Sequence, residues 1–285
     1  MAPLVSVITP ALNHAAVLRE AVASVRAQDY GSVEHVVVDG GSGDGTVDVL
    51  RALGASVRWV SEPDKGQSAA LNKGVRMSSG EILGWLNADD LYEPDAVSAA
   101  VAFLEAHPEV ALVHGDAVFV DGQGRELGPC AQVRPFTYAE LVRDGDFVAQ
   151  PAAFFRRAAF EAVGGVDESL SWAMDYDLWL KLAARYPVAY LPRRLARYRW
   201  TGDNKTARGG FPRLAELEDV GRRHGAGGLA SSFRLEKFAL SRRAAAEQWR
   251  AHHRRAAAGL LCGGAWAVLS SPRALGAGLR GVRRR

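Results

Sequence analysis

Ile82-Leu83-Gly84-Trp85-Leu86-Asn87-Ala88-Asp89-Asp90 passes within nine residues from an uninterrupted apolar run to a pair of adjacent carboxylates. Five apolar residues are too few for a helix, and Ser79-Gly80 punctuates the chain just upstream. The run is therefore expected as a strand. The same grammar occurs earlier, where Val36-Val37-Val38 stops at Asp39 in front of Gly40-Gly41. Extending from these two, strands are expected over 4–9, 35–39, 57–61, 82–86 and 110–115, with helices over 15–28, 46–53, 68–77 and 95–106. That alternation predicts an α/β chain with a mainly parallel central sheet flanked by helices. In open sheets of this kind ligands gather at the carboxyl ends of the strands, so Asp39 and Asp89-Asp90 are expected on one rim.

After Gly115 the alternation loosens into a small mixed subregion. A hairpin is expected from 118–120 and 125–127 around Asp121-Gly122, followed by a short helix after Thr137 and a buried strand over 152–155. A helix over 175–185 places Leu178, Trp179 and Leu182 on one side, and strands over 188–191 and 195–200 close the ordered body. Three parts follow: 1–116, 117–204 and a helical basic extension, 205–285. Of the net charge of +3, residues 1–204 carry 18 basic and 27 acidic side chains, and 205–285 carry 17 and 5. Only five of the 35 basic residues are lysine. Basic tails of this kind also suit membrane surfaces or open solvent, so no nucleic-acid partner is expected.

With 285 residues, 48% hydrophobic and 24% charged, the composition is that of a globular chain and excludes a disordered or fibrous one. Cys130 and Cys262 stand 132 positions apart, which excludes a disulfide scaffold and a cysteine-based metal cluster. The start, Met1-Ala2-Pro3, has no basic lead, so a cleaved signal is not expected and a cytoplasmic location is. The uncharged stretch 256–269 is shorter than the roughly 20 residues that span a bilayer. Flanked by Arg254-Arg255 and Arg283 to Arg285, it suits either a packed helix or a segment at the cytoplasmic face of a membrane.

Four groups carry candidate chemistry. Asp89 and Asp90 repel each other unless a cation or donors join them, and hard oxygen ligands suit Mg²⁺ or Mn²⁺; capping of the turn before Pro94 is the alternative. Asp39 precedes Gly40-Gly41-Ser42-Gly43-Asp44-Gly45-Thr46, which lacks the third glycine of a dinucleotide fingerprint. This loop suits either acceptance of hydrogen bonds from a base or ribose, or a plain turn capped by Ser42 or Asp44. Glu62-Pro63-Asp64-Lys65-Gly66-Gln67 and Asn72-Lys73-Gly74 hold lysines that suit phosphate or solvent. In Met174-Asp175-Tyr176-Asp177-Leu178-Trp179 the two carboxylates cannot share a helical face, so Asp175 is expected as a general base and Asp177 as a cap.

Taken in order, these motifs resemble the nucleotide-sugar-dependent, inverting glycosyltransferases of family 2, which have the GT-A fold. The resemblance runs over about residues 3–200. It begins at Val5-Ser6-Val7-Ile8-Thr9-Pro10-Ala11-Leu12-Asn13 and passes through Val38 to Thr46 and Asp64-Lys65-Gly66. Asn87-Ala88-Asp89-Asp90 stands in the place of the metal-binding DXD motif, and Met174 to Trp179 in that of the base. It implies that Asp39 binds the nucleobase, Asp89 the ribose or metal, and Asp90 a divalent cation, Mn²⁺ or Mg²⁺, on the donor pyrophosphate. Pro10 and Asn13 would border the nucleotide, Asp64 and Lys65 would touch base or phosphate, and Asp175 would be the base. Two positions depart from the family pattern. Met174 replaces the acid of a Glu-Asp pair, and Tyr198-Arg199-Trp200-Thr201 has threonine where a histidine often helps hold metal or phosphate.

The implied reaction moves a sugar from a nucleoside diphosphate, UDP first with TDP or GDP as alternatives, to a hydroxyl by single displacement. The acceptor is expected to be a sugar or lipid-linked saccharide, as in surface polysaccharide or glycolipid assembly. Phe147, Gln150, Pro151, Phe154 and Phe155 are expected to wall the acceptor, with Trp172 stacking on a sugar; core packing is the alternative for Phe154 and Phe155. A nucleotidyltransferase would need a glycine-rich basic loop after the first strand, and residues 9–14 offer none. A non-catalytic nucleotide-sugar binding protein would bind without turnover.

Overall fold

The computed structural model describes residues 2–130 and 132–250. In the first half β1 (Val5–Ala11), α1 (Leu18–Arg26), β2 (Val33–Asp39), α2 (Thr46–Leu53), β3 (Arg58–Ser61), α3 (Gln67–Met77), β4 (Ile82–Trp85), β5 (Leu91–Tyr92) and α4 (Ala96–Ala106) follow one another. The second half adds β6 (Leu112–Val120), β7 (Glu126–Pro129), α5 (Tyr138–Asp144), β8 (Ala153–Arg156), α6 (Arg157–Ala162), α7 (Met174–Ala183) and β9 (Val188–Arg199). Helices α8 (Lys205–Arg208), α9 (Gly210–Arg223) and α10 (Ser231–Arg250) end the described chain.

The sheet order is β3-β2-β1-β4-β8-β6-β9-β5, with β7 beside β6. From β3 to β4 every ladder is parallel, as the alternation requires. Beyond β4 the sheet is mixed: β8 runs antiparallel to β4 and β6, whereas β6 and β9 are parallel. Neighbouring residues of a strand face opposite layers, and the core follows that rule. Val5, Val7, Ile82, Val113 and Phe154 pack with Val25 of α1 and with Val97, Ala100, Val101 and Leu104 of α4. Leu50 of α2 joins Val37 and Ala11 on that face. On the other face Phe155 meets Phe160 of α6 and Trp179 of α7. Helix α3 lies there too, close because a Cβ at Gly74 would overlap Ile8 Cγ2.

Two expectations are corrected by continuity. The strands expected at 188–191 and 195–200 are one strand, whose pairing to β6 jumps from Gly115↔Leu191 to Asp116↔Arg194. That irregularity absorbs Pro192, which has no N–H to give to a ladder. The strands expected at 110–115 and 118–120 likewise merge into β6. The boundary expected between 116 and 117 therefore falls inside a strand, and both halves share one sheet.

Residues 1–137 and 147–204 form one compact unit, and 138–146 with the chain from 205 onward form a second. In the second, Leu214, Leu217 and Val220 are buried, Arg213 pairs with Glu236 at 2.8 Å, and the Tyr138 hydroxyl donates to the His224 carbonyl at 3.2 Å. Among the described residues no helix is long and apolar enough to cross a membrane. Cys130 is a buried free thiol. The stretch 256–269, with Cys262 and its arginine flanks, lies outside the described residues.

Candidate functional site

The loops after β1 and β2 are stitched into one rim. Asp39, the last residue of β2, is fully buried. Its Oδ2 accepts from the backbone of Gly41 and Ser42 at 3.1 and 2.9 Å and from Ser61 Oγ at 2.6 Å. Its Oδ1 accepts from Ser42 Oγ. Ser42 Oγ in turn accepts from the Asn13 backbone at 2.7 Å, and Asn13 Oδ1 accepts from Gly43 N at 3.0 Å. Asn13 makes this reach from a left-handed backbone, φ 59°. The Asp39 carboxylate, expected from the sequence to meet a base, also builds the loop around it. Of the two capping candidates, Asp44 holds the turn into α2: its carboxylate accepts from Thr46 N at 3.0 Å and from Ala15 N at 3.0 Å. Burial works to raise the Asp44 pKa, and these hydrogen bonds outweigh it, holding the group below the usual carboxylate range.

The N-terminus of α3 gathers the rest of the rim. Asp64 Oδ1 accepts from Gly66 N at 2.7 Å, and the bare Cα of Gly40 lets the Asp64 carboxylate lie against the Asp39 loop. Gln67 Nε2, at the first turn, donates to Asn87 Oδ1 at 2.8 Å. Ser68 Oγ donates to the Leu170 carbonyl at 2.9 Å, and Asn72 bonds the backbone of Val166 in both directions. One helix end therefore joins the Asp39 loop, the acidic loop and the segment leading into α7. Lys65 stands exposed beside it, and Pro10 is buried in β1 opposite Val38.

Asn87 is the centre of the acidic loop. It accepts from Trp85 Nε1 at 2.9 Å and donates to Asp90 Oδ2 at 3.1 Å and Gln150 Oε1 at 2.7 Å. Gln150 closes the square by donating to the Trp85 carbonyl at 2.5 Å. Asp90 is fully buried, and its Oδ1 accepts from the backbone of Arg199 at 2.9 Å. Burial first, and the charge of Asp89 second, push the Asp90 pKa well above the usual carboxylate range. The Arg199 guanidinium, itself buried, donates to the carbonyls of Asp89 at 2.9 Å and Gly122 at 2.8 Å and pairs with Glu20 of α1 at 2.6 Å. Thr201 lies near this Gly122 turn.

A buried carboxylate whose proton affinity is raised by burial and by a carboxylate beside it fits a divalent cation: the ion would offset the repulsion and take its other ligands from phosphate and water. Among the described residues no group of three His, Cys, Asp or Glu side chains is placed to hold a metal unaided.

Asp175 lies in the first turn of α7, half-buried, five residues after the Leu170 carbonyl that Ser68 holds. Asp177, expected from the sequence as a cap, lies in the first turn of α7. It is buried and pairs with Lys181 at 2.6 Å, one turn on. Of the expected acceptor wall, Gln150 belongs to the acidic loop and Trp172 is half-buried, whereas Phe154 and Phe155 are core: Phe154 stacks on Tyr92 at 5.2 Å. The polar hub of Gln67, Asn87 and Gln150 and the clamp by Arg199 were not assigned from sequence. β9 carries four arginines, and only the last, Arg199, is buried, so nothing in the sequence alone marks it out.

Residues 6–164 match the family described as Glycosyl transferase family 2. An uncharacterized glycosyltransferase of Mycobacterium tuberculosis is 33% identical over 80% of this chain and 87% of its own length. A PGL/p-HBAD biosynthesis glycosyltransferase of Mycobacterium bovis is 34% identical over 62% of this chain and 68% of its own. Among solved structures, the mannosyltransferase PcManGT of Pyrobaculum calidifontis, with GDP-Man and Mn²⁺, aligns at a TM-score of 0.59 and 24% identity over 99% of this chain and 80% of its own. TarS 1-349 of S. aureus, with UDP-GlcNAc, aligns at 0.59 and 17% identity, covering 90% and 71%. The chain spans 47% of the longer TarS structure. A mixed sheet with acidic strand ends, its family match and these relatives agree: the chain belongs to glycosyltransferase family 2 and has the GT-A fold.

Proposed function

We propose that this glycosyltransferase moves a sugar from a nucleoside diphosphate to a hydroxyl with inversion, in a single displacement. The observation that carries the reading is the α3 N-terminus, which ties the Asp39 loop, the Asn87-to-Asp90 loop and the approach to Asp175 to one point. The solved neighbours with UDP-GlcNAc and GDP-Man support the donor class, with UDP as first choice and TDP or GDP as alternatives. Pro10, Asn13, Asp64 and Lys65 would border the nucleotide, and Asp39, which also fixes their loop, would bind the nucleobase. Asp89 and Asp90 would hold Mn²⁺ or Mg²⁺, which when bound supplies positive charge against the departing diphosphate. Asp175 would take the proton of the acceptor hydroxyl as its oxygen attacks the anomeric carbon from the face opposite the leaving group.

The relative named for PGL/p-HBAD biosynthesis supports a glycolipid or polysaccharide acceptor, and the basic tail supports peripheral contact with the cytoplasmic face of a membrane. A donor screen tests the proposal: UDP, TDP and GDP sugars with and without Mn²⁺, read by thermal shift and by proton NMR of the released anomer. One nucleotide class should stabilise the protein in a Mn²⁺-dependent way, and the first product should have the anomeric configuration opposite to the donor. Retention of configuration, or no stabilisation by any donor, would refute it.

A further inference from the structure

A second polar cluster lies on the face of the sheet that carries α7, around His114 of β6. His114 is 1% exposed, and its Nδ1 is buried without a hydrogen-bond partner. Burial pushes its pKa down to about 4, so at neutral pH the ring is uncharged and offers one N–H to donate and one bare nitrogen to accept. Phe136 and Tyr190 flank the imidazole with centroids at 5.2 and 5.4 Å. The Tyr190 hydroxyl donates to Asp116 Oδ1 at 2.7 Å, and both residues are half-buried. Phe147 meets Phe136 at 6.5 Å and carries the Arg134 guanidinium 4.0 Å above its ring.

Register places this cluster relative to the acidic loop. Gly84 of β4 pairs with Phe154 of β8, and Phe154 with Val113 of β6. Strands β4 and β6 run the same way with β8 between them, two strand spacings or about 10 Å apart. Asn87 follows the end of β4, and Asp116 lies beyond the β8 ladder of β6 in the same direction. The cluster is therefore on the ligand-bearing rim, to the side of the acidic loop. An uncharged imidazole, a phenol paired to a carboxylate and flanking aromatic rings match a polyol: hydroxyls can both donate and accept, and the C–H face of a pyranose packs on a ring.

We propose that His114, Asp116 and Tyr190, with Phe136 beside them, form a saccharide subsite for the acceptor; the assignment of the sugar as acceptor rests on the transferase reading above. The test uses p-nitrophenyl α- and β-glycosides of glucose, galactose, mannose and N-acetylglucosamine. Binding to the full chain is followed by saturation-transfer NMR, and hydrolysis of the nucleotide sugars is measured in parallel without acceptor. At least one glycoside should bind. Asp116→Asn and Tyr190→Phe, both near-isosteric, should each weaken that binding about 10- to 100-fold. Donor hydrolysis in these variants should stay within about twofold. His114→Phe should weaken glycoside binding as well, and if it fails to fold the two isosteric variants decide. No glycoside binding to the wild type, unchanged affinity in both isosteric variants, or an equal loss of donor hydrolysis would overturn the subsite. Failure of the transferase reading shows separately, as no hydrolysis of any nucleotide sugar by the wild type.

Discussion

Arg199 shows how one residue can fix a catalytic loop from behind. Its guanidinium reaches α1, the Asp89 carbonyl and the Gly122 turn, while its backbone N–H holds Asp90. Replacing it by methionine keeps the bulk but leaves the carbonyls of Asp89, Asp121 and Gly122 and the Asp90 environment uncompensated. Because Glu20 is 55% exposed, water replaces much of that ion pair, so the loss comes mainly from the carbonyls. Arg199→Met should lower stability by about 2–4 kcal/mol in urea unfolding and weaken Mn²⁺-dependent donor binding. A stability change below about 0.5 kcal/mol would show that the clamp contributes nothing. The acidic pair itself was legible because two carboxylates after an apolar strand are conspicuous. The neutral amides that orient it, Asn87, Gln67 and Gln150, were not, since their partners lie 20 to 65 residues apart.

The element scale is where periodicity works best. The helix over 46–53 and the strands ending at Asp39 and Trp85 were legible from apolar spacing, because each buries a continuous face. Short elements were not: β5 has two residues and α6 six, too few to display a period. The β1–β2 ladder also contains a buried titratable group, His35, whose Nε2 lies 2.9 Å from Thr9 Oγ1. Burial pushes the His35 pKa down to about 3, whereas the unfolded chain titrates near the ordinary 6.5. Between those values the unfolded state binds more protons, so acidification favours unfolding. In urea unfolding at pH 7, 5.5 and 4.5, the wild type should lose stability relative to His35→Gln by about 1.4 kcal/mol per pH unit below about pH 6. Parallel pH profiles for the two proteins would exclude a buried neutral histidine.

Across the whole molecule, residues 147–204 group with 1–137, and the chain from 205 onward groups with 138–146. The inclusion of 138–146 in the second unit had no signal in composition, because it depends on contacts such as that of Tyr138 with His224, 86 residues away. The proposed function divides the labour within the first unit: the Asp39 and Asp90 loops would serve the donor, and Asp175 would serve the acceptor hydroxyl. Kinetics of Asp175→Asn with parallel donor titration calorimetry test this most directly. Turnover should fall about 10²- to 10⁴-fold while the donor Kd stays within about twofold of the wild type. Near-wild-type turnover, or a loss of donor affinity matching the loss of rate, would contradict it.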